Sequence, residues 1–79
     1  MILEKIIDLV AEQFGINPNS LSSETDFFAT LGADSLDIVE LTMAVEDAFA
    51  IPEADGEDIR HIVNIGDLAE YVEKVLEKQ

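Results

Sequence analysis

Three stretches of this chain repeat apolar residues at spacings of three and four, a pattern that limits the possible folds more than any other feature. The first stretch predicts a helix over residues 2–14, ended by Gly15, with an apolar face of Leu3, Ile6, Ile7, Val10 and Phe14. The last predicts a helix that begins after Asn64, a candidate N-cap, with an inner face of Leu68, Val72, Val75 and Leu76. Val63 and Leu68 are placed to close a hydrophobic staple at its start.

The middle stretch predicts a helix from Ser35 to Ala50 that Pro52 stops. Asp34 is the predicted N-cap, and Asp37 occupies the third helical position. At about 100° per residue, this helix carries two apolar stripes rather than one. The inner stripe is expected to face the core and comprises Ile38, Leu41, Thr42, Val45 and Phe49. The outer stripe lies nearly opposite and comprises Leu36, Val39 and Met43.

The segments between these helices are rich in residues that break helices. Residues 17–32 contain mainly Asn, Ser, Thr, Pro and Gly between their apolar residues, so they predict a long loop. Four apolar side chains are expected to pin this loop to the core: Leu21, Phe27, Phe28 and Leu31. Residues 53–62 have room for one short helical turn, and no repeat or paired strand is evident. The predicted fold class is all-α, a small bundle of three main helices.

The length of 79 residues predicts one small domain over residues 1–79. Because a domain of this size buries only about 60% of its unfolded surface, a binding or carrier role is favoured over an enzyme with a deep cleft. The absence of cysteine excludes disulfides and cysteine nucleophiles. No apolar run approaches the roughly 18 residues that span a bilayer, and acids interrupt the first ten residues, unlike a signal peptide. We therefore expect a cytoplasmic, monomeric protein.

Charge is the strongest feature of the composition. Eighteen Asp and Glu against four Lys and Arg give a net charge of −14, and residues 6–59 contain no Lys or Arg. Nucleic acid is therefore not an expected partner, since its phosphates would be repelled. Disorder is not expected either, because 48% of the residues are hydrophobic and follow helical periodicity. The acids between residues 53 and 58 miss the spacing of an EF-hand loop, so a solvated segment is favoured over a metal site.

The outer stripe of the second helix is surrounded by acids, namely Asp34, Asp37, Glu40, Glu46 and Asp47. A small apolar patch inside a charged rim is typical of a partner-docking face. The alternative is that the loop over residues 15–33 covers the stripe as ordinary core. Docking is favoured because the surrounding acids would be costly to bury.

Ser35 lies in the first turn of the predicted second helix. Its surroundings lack the second glycine of a G-x-S-x-G elbow, and His61, on the short third segment, is the only histidine, so triad catalysis is not expected. On position alone, the serine serves to start a helix. The alternative is a modified serine, whose phosphodiester would lie beside free backbone N–H groups. Asp34 and Asp37 oppose that attraction, and their expected role is recognition by a basic enzyme.

Residues 31–49, LGADSLDIVELTMAVEDAF, resemble the signature of acyl carrier proteins, in which the serine of Asp-Ser-Leu bears a 4′-phosphopantetheine arm. The likeness extends to Gly15-Ile16, to Phe27 and to NIGDLAEYV at residues 64–72, so it covers nearly the whole chain. It implies a four-helix bundle with a short third helix. It also implies a carrier that separate enzymes modify and load, rather than an enzyme.

The resemblance implies that a holo-acyl-carrier-protein synthase transfers the arm from coenzyme A to Ser35. The thiol of the arm would then carry acyl groups as thioesters between enzymes of fatty-acid synthesis, or of related polyketide or specialised lipid synthesis. Partner enzymes would present basic docking patches. The acyl chain would shelter between helices, in a cavity whose candidate lining residues, ordinary core when no chain is bound, are Leu41, Val45, Phe49, Ile59, Ile62, Leu68 and Tyr71.

Two alternatives to an acyl carrier stay open at the level of sequence. A carrier for amino acids, peptidyl or D-alanyl, would share the serine and the arm, and an unmodified acidic interaction module would need neither. The chain also departs from the family at Thr30 and in residues 50–63, where the connection after Phe49 is shorter than usual and the stretch from Pro52 to Ile62 is longer. The short third helix and its partners are therefore expected to differ.

Overall fold

The computed structural model describes residues 2–78 and consists of helices joined by loops. Its elements are α1 (Ile2–Phe14), a 3₁₀ turn (Pro18–Ser20), α2 (Ser35–Phe49), α3 (Gly56–Arg60) and α4 (Ile65–Glu77). The predicted all-α fold with a short third helix is confirmed. Strand-like pairing among these residues is confined to a single bridge between Asp26 and Asn64. None of the helices described is long and apolar enough to cross a membrane.

The hydrophobic core lies between α1, α2 and α4. The predicted inner faces of all three helices are confirmed, because their central side chains are almost completely buried: Ile6, Val10, Ile38, Leu41, Val45, Leu68 and Val72. Helix α1 packs on both α4 and α2. By contrast, α3 has no buried residue and contributes only the partly buried Ile59 to the core. The third helix is therefore the least firmly packed element of the bundle.

Helices α1 and α2 end in the same way, with one residue in the left-handed conformation. Gly15 has a φ of 66°, and the following N–H of Ile16 donates to the Ala11 carbonyl at 3.0 Å. At the end of α2, Ala50 has a φ of 54°, and the Ile51 N–H donates to the Glu46 carbonyl at 3.1 Å. These bonds satisfy carbonyls that the helix ends would otherwise leave unpaired. Helix α2 thus ends at Phe49, one residue before the prediction.

The long loop before α2 is held to the core by two fully or nearly buried side chains, Leu21 and Phe27, and by the partly buried Leu31. The prediction that Phe28 also packs inward is wrong, because this side chain is 47% exposed. The Asp26 carboxylate accepts hydrogen bonds from the N–H groups of Phe28 and Ala29, both at 2.8 Å. This tight turn leaves only one of the two adjacent aromatic rings on the inner side.

The same loop is bonded to the start of α4 through the backbone. The N–H groups of Ile65 and Gly66 donate to the carbonyls of Thr25 and Ser23, at 3.0 and 2.7 Å. The loop lies so close that a Cβ added to Gly66 would be 2.9 Å from the Ser23 oxygen. Val63, predicted to form a staple with Leu68, is 41% exposed. The backbone bonds to Thr25 and Ser23 fix how the chain enters α4.

Candidate functional site

The first turn of α2 is fixed by two aspartates that cap each other's backbone. Asp34 Oδ1 accepts a hydrogen bond from the Asp37 N–H at 2.9 Å, and Asp37 Oδ2 accepts one from the Asp34 N–H at 3.1 Å. The predicted N-cap and third helical position are therefore confirmed. This reciprocal capping places Ser35 at the first helical position, where its side chain is exposed.

The backbone N–H groups of Ser35 and Leu36 have no hydrogen-bond partner within residues 2–78. The intrahelical bonds start only afterwards, with the Ile38 N–H donating to the Asp34 carbonyl at 3.2 Å. Free N–H groups at the positive end of a helix dipole favour an anion beside them. An exposed hydroxyl next to two unused donors fits the attachment of a phosphate ester, although two neighbouring carboxylates oppose its charge.

No base is hydrogen-bonded to Ser35 in the part of the chain that the structure describes. The only histidine, His61, follows α3, and its Nε2 lies 3.8 Å from Glu57 Oε1. Both of these side chains are largely exposed, so their pairing contributes little to stability. The serine is therefore accessible to a reagent brought by another protein, and its own neighbours do not activate it.

The outer stripe of α2 lies on the surface beside Ser35. Leu36, Val39 and Met43 are 64%, 40% and 56% exposed. The alternative in which the long loop covers this stripe is therefore wrong. The exposed apolar side chains form one strip along a helix that also carries exposed carboxylates.

The acids predicted to surround the stripe differ in solvent exposure and in hydrogen bonding. Asp34, Glu40 and Asp47 are exposed, whereas Asp37 is half-buried and used in the cap. Glu46 is also half-buried, and its Oε2 accepts a 2.7 Å hydrogen bond from the Ala54 N–H. The sequence offered no sign of this last contact, because it joins residues on either side of the end of α2.

The residues predicted to line an acyl cavity are not gathered around one pocket. Four of them are at most 3% exposed and belong to the packed core: Leu41, Val45, Ile62 and Leu68. Phe49, Ile59 and Tyr71 are partly buried at its edge. Of these seven residues, Ile59 borders one surface pocket, and Ile62 and Tyr71 border another, each pocket about 310 Å³ in volume.

The pocket that Ile59 borders lies between α2 and the segment that leads into α3; we call it the α2–α3 groove. Its lining comprises Val39, Thr42, Met43, Glu46, Glu53, Ala54 and Ile59. Periodicity had placed Val39 and Met43 on the outer stripe and the buried Thr42 on the inner one, so the groove follows the boundary between the two stripes. Ala54 could not have been assigned to it from sequence.

Carboxylates from α2 and from the start of α3 converge near Tyr71. Burial raises the pKa of the Tyr71 hydroxyl above its ordinary value of 10.0, and the negative charges of Asp58, Glu46 and Asp55 raise it further. The phenol therefore stays protonated at neutral pH. Within residues 2–78, no cluster of three or more His, Asp or Glu side chains is arranged to hold a metal ion.

A known family model and several curated proteins match most of this chain. The family model described as the phosphopantetheine attachment site matches residues 4–72. The acyl carrier protein of Clostridium acetobutylicum is 43% identical over 72 residues, which are 91% of this chain and 92% of the relative. That of Bdellovibrio bacteriovorus is 44% identical over 70 residues, 89% of this chain and 88% of the relative.

A solved structure shows the same fold. The acyl carrier protein of Enterococcus faecalis, whose structure was described for its high thermal stability, superposes with a TM-score of 0.77 at 24% identity, over 94% of this chain and 92% of that one. The chain belongs to the acyl carrier protein family, whose members are carriers with a covalent 4′-phosphopantetheine arm rather than catalysts.

Proposed function

We propose that Ser35 is the residue that receives the 4′-phosphopantetheine arm, and that the arm carries acyl groups for enzymes of fatty-acid synthesis or of a related lipid or polyketide pathway. The observation that carries this assignment is the open first turn of α2. The Ser35 hydroxyl is exposed there, and the N–H groups of Ser35 and Leu36 are unpaired among the described residues. When bound, the arm supplies a thiol that holds an acyl group as a thioester.

The attachment needs a second protein. Ser35 Oγ forms a bond to the phosphorus that carries the pantetheine of coenzyme A, the bond from that phosphorus to adenosine 3′,5′-bisphosphate breaks, and the hydroxyl proton passes to a base. Because no base is hydrogen-bonded to Ser35 within residues 2–78, the holo-acyl-carrier-protein synthase supplies it, as in the family. The role of this chain is to present the hydroxyl on a rigid helix start, which the reciprocal bonds of Asp34 and Asp37 provide.

The face beside Ser35 is where we propose that the synthase and the later enzymes dock. Leu36, Val39 and Met43 provide an apolar centre with the exposure that an interface core requires. The surrounding carboxylates, Asp34, Asp37, Glu40, Glu46 and Asp47, together with the net charge of −14, favour partners with basic surfaces. Glu46 differs from the others because its carboxylate already accepts a hydrogen bond from Ala54.

The direct test is the intact mass of the protein after incubation with a holo-synthase, coenzyme A and magnesium. Wild type is expected to gain one phosphopantetheine, whereas Ser35→Ala is expected to stay folded and gain none. Ser23→Ala is the matched control, because Ser23 is an exposed serine outside the signature and is expected to leave modification unchanged. Modification of Ser35→Ala, or an unmodified wild type with several synthases, would overturn the assignment.

The class of cargo is tested on the modified protein. An acyl-loading enzyme is expected to charge the thiol with a fatty acyl group, and an amino-acid-activating enzyme is expected to leave it free. Charging by amino acids alone would instead make the chain a peptidyl or D-alanyl carrier. Mass spectrometry distinguishes the two outcomes on the same sample.

A further inference from the structure

The side chain of Gln13, near the end of α1, reaches the first turn of α2. Its Nε2 donates a hydrogen bond to the Asp37 carbonyl oxygen at 2.9 Å. Among residues 2–78, this is the one hydrogen bond between the first turn of α2 and another helix. The end of α1 is thus bonded directly to the turn that presents Ser35.

The other contacts of this turn either close it on itself or begin after it. The reciprocal bonds of the two capping aspartates are internal to the turn. The side chains of Ser35 and Leu36 are exposed, and Ile38, at 2% exposure, is the first residue of α2 whose side chain is buried. The caps therefore fix the shape of the turn, whereas its placement against α1 depends on the packing of Ile38 and on the bond from Gln13.

The bond from Gln13 is suited to orienting the turn rather than to stabilising the fold. A carbonyl oxygen has two lone pairs, so the Asp37 oxygen accepts from Gln13 without giving up its own helical bond. Because the Gln13 side chain is exposed, the bond adds little to global stability. Orientation matters more for transfer, since displacement of a reacting atom by about 1 Å can lower a rate by about a hundredfold.

We propose that Gln13 is a positioning residue for transfer of the arm: its bond to the Asp37 carbonyl holds the first turn of α2 against α1, so that the Ser35 hydroxyl keeps one orientation toward the docked synthase. Gln13 acts through the backbone of Asp37 and not on the reacting atoms. Its role in the transfer rests on the proposed function. The bond itself does not, because it is a property of the unmodified protein.

Single-turnover transfer with a holo-synthase and coenzyme A, followed by intact mass, tests this role. Gln13→Met removes the donor but keeps the side-chain length, the neutral charge and a good helix former. It is expected to lower the maximal rate by about threefold, because the hydroxyl is held in place less often. The synthase concentration at half-saturation is expected to stay unchanged, since the outer stripe and its acids are intact.

Two further variants separate the hydrogen bond from other properties of the side chain. Gln13→Lys restores an N–H donor of similar reach and is expected to recover most of the maximal rate, while its positive charge raises the half-saturating concentration of a basic synthase. Asn19→Met is the matched control, because Asn19 is also an exposed amide and its side chain donates no hydrogen bond within residues 2–78. It is expected to react like wild type.

Amide hydrogen exchange on the unmodified chain tests the bond without any enzyme. The Ile38 N–H, which donates to the Asp34 carbonyl, reports on the first turn of α2, and the N–H of the fully buried Val72 reports on the whole fold. Gln13→Met is expected to accelerate exchange at Ile38 by about threefold and to leave Val72 nearly unchanged. Equal acceleration at both positions would contradict the proposal, because the fold as a whole would then have loosened.

The kinetic outcomes distinguish positioning from direct contact. An unchanged maximal rate in Gln13→Met would refute the positioning role, and so would a maximal rate in Gln13→Lys as low as that of Gln13→Met. A higher half-saturating concentration at an unchanged maximal rate in Gln13→Met would mean that Gln13 contacts the synthase instead of orienting Ser35. Wild type that gains no arm would remove the proposed function as well, whereas a reactive wild type beside an unaffected Gln13→Met would remove the positioning role alone.

Discussion

Helices α2 and α4 begin with the same kind of cap, but their first two N–H groups differ in whether they have hydrogen-bond partners within residues 2–78. Each begins with a reciprocal cap, formed by Asp34 and Asp37 in α2 and by Asn64 and Asp67 in α4. In α4, the next two N–H groups donate to carbonyls of the long loop. In α2, the corresponding N–H groups of Ser35 and Leu36 are unpaired within residues 2–78.

The difference shows that a capped helix start can still have unpaired N–H groups. A cap satisfies the N–H at the third helical position, but the first two N–H groups need partners from elsewhere. At α4 the loop supplies them, and Gly66 lets its backbone approach within hydrogen-bond distance. At α2 the corresponding residue is Leu36, whose side chain is 64% exposed. The start of α4 is thus bonded to the rest of the fold, whereas the start of α2 keeps its first two N–H groups exposed to an outside partner.

The largest effect on stability is expected from Gly66→Ala. Its new Cβ would lie 2.9 Å from the Ser23 oxygen and push the loop away, at a cost of about 1–3 kcal/mol in the free energy of unfolding. Leu36→Ala, at the equivalent position of α2, is the matched control and is expected to change stability by less than about 0.5 kcal/mol. Urea unfolding followed by circular dichroism measures both. Equal effects would mean that the loop does not close the start of α4.

The next effect is expected from removal of the two N-caps. Asn64→Ala is expected to cost about 2 kcal/mol, since Asn64 is half-buried under the loop. Asp34→Ala is expected to cost only about 0.5–1 kcal/mol, because the site is exposed and the loss of one negative charge relieves repulsion in a chain of net charge −14. Thermal unfolding of the two variants at the same ionic strength gives the comparison. A larger loss for Asp34→Ala would contradict the view that the α2 start is structurally independent of the core.

The smallest effect on stability is expected from Met43→Ala. Met43 lies on the exposed outer stripe of α2, which begins beside Ser35. Because Met43 is 56% exposed, its truncation is expected to change stability by less than about 0.5 kcal/mol. It is expected to weaken the complex with the holo-synthase by about 1 kcal/mol, mainly through faster dissociation. Surface plasmon resonance measures the lifetime of the complex.

Val63→Ala is the matched control for this docking test. Val63 is 41% exposed but precedes α4 rather than lying on α2, so its truncation is expected to leave the lifetime of the complex unchanged. A stability loss of about 2–5 kcal/mol in Met43→Ala, with normal synthase binding, would instead mean that the outer stripe belongs to the protein core.

Local patterns predicted most of the main helices and the residues of the site. The acids and small polar residues before each helix indicated the caps, and the two apolar stripes of α2 indicated one buried and one exposed face. Phe28 was misassigned because two adjacent aromatic residues in a loop have the same sequence signal, and only the Asp26 turn decides which one points inward. The bond between Glu46 and Ala54 was missed for a related reason, since it depends on how the chain returns after α2.

The sequence by itself determined the periodicity of the helices, their caps and the presence of Ser35 at a helix start, because these depend on residues within a few positions of one another. The tertiary structure alone decided which helix start has unpaired N–H groups among the described residues, and which carboxylate accepts a hydrogen bond from the segment after α2. The backbone carbonyls of Ser23 and Thr25 look like any others in the sequence, and their pairing with α4 follows from where the packed core places the loop. Hydrogen bonds between distant segments depend on that placement, and no local pattern encodes it.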